Sequence, residues 1–179
     1  MTESTKGTMI RALLTAALLA TTVTASAAPA LAIDPAHAQL LQAVQQRGIK
    51  LYNDADLCEA QPHLDGFYHG PSRALVICAE GSWEDLNAND LDTIRHETVH
   101  FIQDCANDSI DGNLQLILKP GVAENLLRGT GLPPEAITRT YTENGKAQHV
   151  PIELEAFGVA RAHSAKTITK ALNVFCPLK

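Results

Sequence analysis

Apolar residues fall at helical spacing in some stretches of this chain and in short unbroken runs in others. Leu40, Leu41 and Val44 share one face of a helix predicted over Pro35 to Arg47, with Asp34 as its cap and Gly48 as its stop. Residues 49–53 and 73–78 read instead as strands of a small sheet, separated by a loop rich in Pro, Gly and His. From Trp83 to Asp111 no proline or glycine intervenes, and Leu86, Ile94, Val99, Phe101 and Ile102 supply an apolar face. That stretch predicts a long helix capped by Asn87 or Asn89, with Asp90 and Asp92 in its first turn.

The pattern is weaker from Asp111 to Tyr141. Leu114, Leu116, Ile117 and Leu118 end at the Lys119-Pro120-Gly121 break, and short helices are predicted over Val122 to Leu127 and Pro134 to Thr140. A last long helix is predicted from His149 to Leu172, carrying Ile152, Ala156, Val159, Ala160 and Ile168 toward the core. No internal repeat occurs outside the N-terminal stretch. Together these elements define a small α+β domain.

The long central helix carries the chemistry. His96-Glu97-Thr98-Val99-His100 is an H-E-x-x-H sequence, which on a helix sets two imidazoles on one face to hold a zinc ion, with Glu97 beside them to act on water. A catalytic zinc needs a third protein ligand and an open position. A glycine at 103 and a histidine at 106 would have met the metzincin pattern, but the chain has Gln103 and Ala106. Downstream, acidic residues sit inside the apolar run 151–160, in the sequence Glu153-Leu154-Glu155-Ala156.

With these two motifs the chain resembles the gluzincin class of zinc peptidases, whose third ligand is a glutamate on a second helix, often in an E-x-x-A context. The resemblance implies a zincin-like fold, one catalytic Zn2+ and Glu153 as the third ligand. Glu155 is held in reserve, because two residues differ by about 200° around a helix and cannot both face the metal. Many members of that class have Asp or Asn after the alanine to orient a histidine. Phe157 stands there in this chain, so another group must orient His96 and His100. Asp92 and Asp104 lie one turn to either side of the pair and are the candidates.

If the three ligands assemble, Glu97 takes a proton from water and passes it to the leaving amine. A donor must also face the developing oxyanion. Tyr141, His149 and His163 are the protic groups near the glutamate helix, with Tyr141 or His149 preferred. His63 and His69 have no partner spacing and are expected at the surface. The resemblance also implies a strand beside the active-site helix whose edge receives an extended peptide, and Ala74 to Cys78 is the natural choice for it, with a wholly structural strand as the competing reading.

The N-terminal stretch changes the picture of where this chemistry takes place. Lys6 and Arg11 precede an apolar run from Ala12 to Ala25, and Ala25-Ser26-Ala27 and Ala30-Leu31-Ala32 are small-x-small sites. Residues 1–32 therefore read as a secretory signal peptide, with a mature start near Ala28 or Ile33. Thr15, Thr21, Thr22 and Thr24 interrupt the run, which falls short of the roughly 20 apolar residues of a membrane span. Secretion or a periplasmic location follows, with no membrane anchor after cleavage.

Four cysteines without C-x-x-C spacing fit that destination as a disulfide framework. Of the three pairings possible, Cys58 with Cys78 and Cys105 with Cys176 are favoured. Net charge is −6, and no basic patch for nucleic acid exists. The expected protein is a monomeric exported zinc endopeptidase acting on peptide or protein substrates. Its rival is a non-catalytic, disulfide-stapled binding protein that retains or mimics a zinc site.

Overall fold

The computed structural model describes residues 33–59, 64–106 and 108–178. The signal peptide assigned to residues 1–32, with its cleavage sites, and His63 lie outside them. The fold opens on α1 (Pro35–Gln45), where the Asp34 carboxylate accepts from the Ala36 and His37 backbone N–H groups. Gly48, at φ +80°, turns the chain out of that helix into β1 (Lys50–Asn53).

The sheet differs from expectation in one strand. Between β1 and β3 (Ala74–Ile77) the segment read as loop contains β2 (Gly66–His69), and the strand order is β1-β3-β2. β1 pairs parallel to β3, with Tyr52 opposite Val76, while β2 pairs antiparallel, with Phe67 opposite the same Val76. Gly66 and His69 at its ends hide this four-residue run from a composition reading. It forms because the tight turn over Gly70-Pro71-Ser72-Arg73, in which the Arg73 N–H donates to the Gly70 carbonyl at 2.9 Å, folds it back on β3.

Ala74–Ile77 is thus the central strand and not the edge expected. Both of its hydrogen-bonding sides are occupied, and all four of its residues are buried, which explains their unbroken apolar sequence. The open edges belong to β1 and β2.

α2 (Ala88–Cys105) runs through the middle of the molecule. Ile94, Val99, Phe101 and Ile102 pack with Leu40, Leu41 and Val44 of α1 and with Leu75 and Ile77 of the sheet. Past α2 an extended strap leads to α3 (Val122–Gly129) and α4 (Pro134–Glu143). The single long helix expected from His149 to Leu172 is two helices, α5 (Val150–Ala162) and α6 (Ala165–Phe175). His163 is extended, at φ −127° and ψ 144°, and Ser164 caps α6 by accepting from the Thr167 N–H. The break lets α6 turn back so that Ile168 and Leu172 join the core. Gly158 lets α5 approach α3, since a Cβ there would meet the Ala123 carbonyl oxygen at 2.8 Å.

Cys58 is bonded to Cys78 and Cys105 to Cys176, the favoured pairing in both cases. The second bond ties the end of α2 to the end of α6, and such bonds persist in oxidising surroundings. No helix among the described residues is long and apolar enough to cross a membrane.

Candidate metal centre

α2 starts at a reciprocal cap. Asn87 accepts from the Asn89 and Asp90 N–H groups, and Asp90 accepts from the Asn87 N–H at 2.8 Å. That fixes the helix so that His96 and His100, one turn apart, face α5, where Glu153 sits in the first turn.

Glu153 Oε2 lies 3.3 Å from His96 Nε2 and 3.5 Å from His100 Nε2. The two Nε2 atoms are 3.0 Å apart. All three ligand atoms fall within 4.8 Å of one another, close enough to share one metal ion. Glu153 Oε2 is buried without a hydrogen-bond partner, which is costly for a carboxylate oxygen unless a cation meets it. Two imidazole nitrogens and one carboxylate oxygen suit zinc and other first-row divalent ions.

Burial alone would push the His100 imidazole down, but the adjacent Glu153 carboxylate and the charge of Glu97 outweigh it and hold it up at about 9. Burial likewise opposes the Glu153 charge, yet His100 and His96 hold its carboxyl well below the usual range. Metal and proton therefore compete for His100. Below the raised pKa of about 9 the ion must displace a proton, so its affinity should fall about tenfold per pH unit on acidification and flatten above that value. Metal titrations at several pH values, in buffers of different ionisation enthalpy, measure both the slope and the proton released.

Glu97 is 5 % exposed, and burial raises its carboxyl above the ordinary range against the opposing charges of His96 and His100. The Tyr68 backbone lies close enough to offset part of that rise, which places β2 beside the centre. Tyr141, on the last turn of α4, stands beside Glu153. Burial and the charges of Glu153 and Glu97 keep its hydroxyl protonated far above its usual range.

The remaining residues fall elsewhere. His149 is an exposed residue before α5, and His163 is exposed at the α5 C-cap. His69 is exposed and bonded to Ser72. Asp92 pairs with Arg95 and Arg161, while Asp104 accepts from the Tyr68 hydroxyl and from the Asp111 and Gly112 N–H groups, so neither orients a ligand histidine.

Gln103 does that for His100. Its Oε1 accepts from His100 Nδ1 at 2.7 Å, and its amide is held the right way round because its Nε2 donates to the Ile152 carbonyl and to Glu155, each at 3.0 Å. With the proton on Nδ1, the Nε2 lone pair faces the ligand group. The i, i+3 spacing of His100 and Gln103 was the sequence signal for this contact. His96 has no such partner: its Nδ1 is buried and unbonded, and the Phe157 ring lies against it with centroids 4.2 Å apart.

Glu155 faces away from the imidazoles. Its carboxylate accepts from the Ile117 and Leu118 N–H groups and from Gln103, pinning the strap onto α5. Replacing it by alanine strands those donors, so Glu155→Ala should lower stability by about 3 kcal/mol or more while the metal still binds. Denaturant unfolding and metal analysis check this. Loss of the metal from a protein of unchanged stability would make Glu155 the ligand instead.

Two histidines and a glutamate from a second helix thus lie close enough to share one metal ion, with the buried Glu97 carboxylate beside them. No family model matches the chain, and neither a curated protein nor a solved structure matches it.

Proposed function

We propose that this chain is an exported zinc-dependent endopeptidase. The observation that carries the reading is Glu97. A structural metal has no use for a buried carboxylate beside the ligand group, raised in pKa by its burial, whereas a general base needs that placement.

His96, His100 and Glu153 hold the ion, which when bound polarises a carbonyl and makes water acidic enough to attack near neutral pH. Glu97 takes the proton and delivers it to the leaving amine. Gln103 keeps His100 in the tautomer that leaves Nε2 free. The Tyr141 hydroxyl, protonated and beside Glu153, is the donor for the developing oxyanion. β2, as an edge strand adjoining Glu97, replaces β3 as the edge along which an extended peptide binds.

The experiment is hydrolysis of a quenched fluorescent peptide library by the purified chain with one equivalent of zinc. Cleavage that stops on chelation and returns with zinc supports the reading. Zinc bound tightly without cleavage of any peptide favours the non-catalytic binding protein.

A further inference from the structure

A second cavity, of about 400 Å3, shares no lining residue with the metal centre. Phe101, Ile110, Phe175 and Leu178 give it apolar walls, and the Cys105–Cys176 disulfide closes one side. Phe175 and Leu178 are 39 % and 59 % exposed, large apolar side chains left uncovered at its mouth.

Its charged residues are Arg47, Arg73 and Asp108. The Arg47 guanidinium is consumed within the fold by the Cys176 and Ala43 carbonyls and by Asn173. The Arg73 side chain makes no hydrogen bond or ion pair among the described residues. It is exposed at the cavity.

The backbone singles out the same place. Arg73 at φ 51° and Asp108 at φ 63° are the non-glycine residues with positive φ among the described residues, and both line this cavity. Aspartate tolerates that conformation, but for arginine at the close of a hairpin turn it is a strain that glycine would relieve. Strained residues collect at ligand sites, where the geometry they hold is used.

We propose that this cavity binds a small amphiphilic carboxylate, with its headgroup on Arg73 and its apolar part against Phe175, Leu178 and Ile110. One unpaired guanidinium matches a planar monoanion through two parallel hydrogen bonds. Asp108 on the wall disfavours a dianion such as phosphate. The volume falls within the roughly 300–1,000 Å3 of small-molecule pockets. The proposal stands apart from the peptidase reading, since none of its residues takes part in the metal centre.

The test is calorimetric titration of the purified chain with octanoate, with a Leu-Phe-Leu peptide bearing a free C-terminal carboxylate, with its amide, and with inorganic phosphate. Octanoate or the free-acid peptide should bind, whichever is tighter naming the source of the carboxylate, and the amide and phosphate should bind at least tenfold more weakly. Arg73→Gly should weaken binding at least tenfold yet melt about 3–6 °C higher without ligand, zinc content being unchanged. Arg73→Gln should lose the binding also. Equal binding of octanoate by the wild type and either variant, equal binding of acid and amide, or no binding of either acid at millimolar concentration overturns the proposal.

Discussion

Glu97→Gln should leave one zinc ion per chain in place and lower kcat/KM for a cleaved peptide by about 100- to 10,000-fold, the span of general acid–base catalysis. That corresponds to roughly 3–5 kcal/mol of transition-state stabilisation. The substitution is nearly isosteric at a position 5 % exposed, so the fold survives it. What disappears is the basic oxygen. Hydrolysis at the wild-type rate in Glu97→Gln removes Glu97 from the reaction and with it the chief support for a peptidase.

Glu153→Gln should weaken metal binding by more than about 100-fold, beyond the roughly 10- to 100-fold expected when a group that merely orients a ligand is lost. The comparison that decides between those roles is Gln103→Leu, which frees His100 Nδ1 without touching a ligand atom. Competition with a chromogenic chelator ranks the two. The geometry requires the larger loss at Glu153, whose Oε2 sits 3.3 and 3.5 Å from the two Nε2 atoms and has no other partner. Equal losses would demote Glu153 to an orienting group.

Much of the site was legible because its residues are close in sequence. The i, i+4 spacing of His96 and His100 needs only a helix to become a metal-binding pair, and the Asn87 and Asp90 capping box that starts that helix is equally local. The second helix and Glu153 could be anticipated from the resemblance. The choice of Glu153 over Glu155 could not be made from helical geometry, which says only that the two face opposite ways. Packing made it, by giving Glu155 the strap's backbone donors and Glu153 the imidazoles.

Other parts depended on long-range contacts. β2 is too short and too polar at its ends to stand out, and it exists because β3 offers it a partner. The α5–α6 break was written in Ser164, a good N-cap, but the apolar period across it continues, and only the gain from burying Ile168 and Leu172 selects the bend. Asp92 and Asp104 had the right spacing to orient the histidines and were drawn off by arginines and by a tyrosine from other elements.

By itself the sequence determined the helical pair of imidazoles, the neighbouring Glu97 carboxylate, the four-cysteine framework and the small α+β class, since each rests on spacing along one element or on counting. The tertiary structure decided which carboxylate meets the imidazoles, which side chain sets the His100 tautomer, which strand lies at the open edge and where an unpaired arginine meets an apolar cavity. These are choices among groups of the same chemical type, and the physical reason they escape a linear reading is that a buried polar group takes whichever partner the packing of distant elements leaves within hydrogen-bond reach.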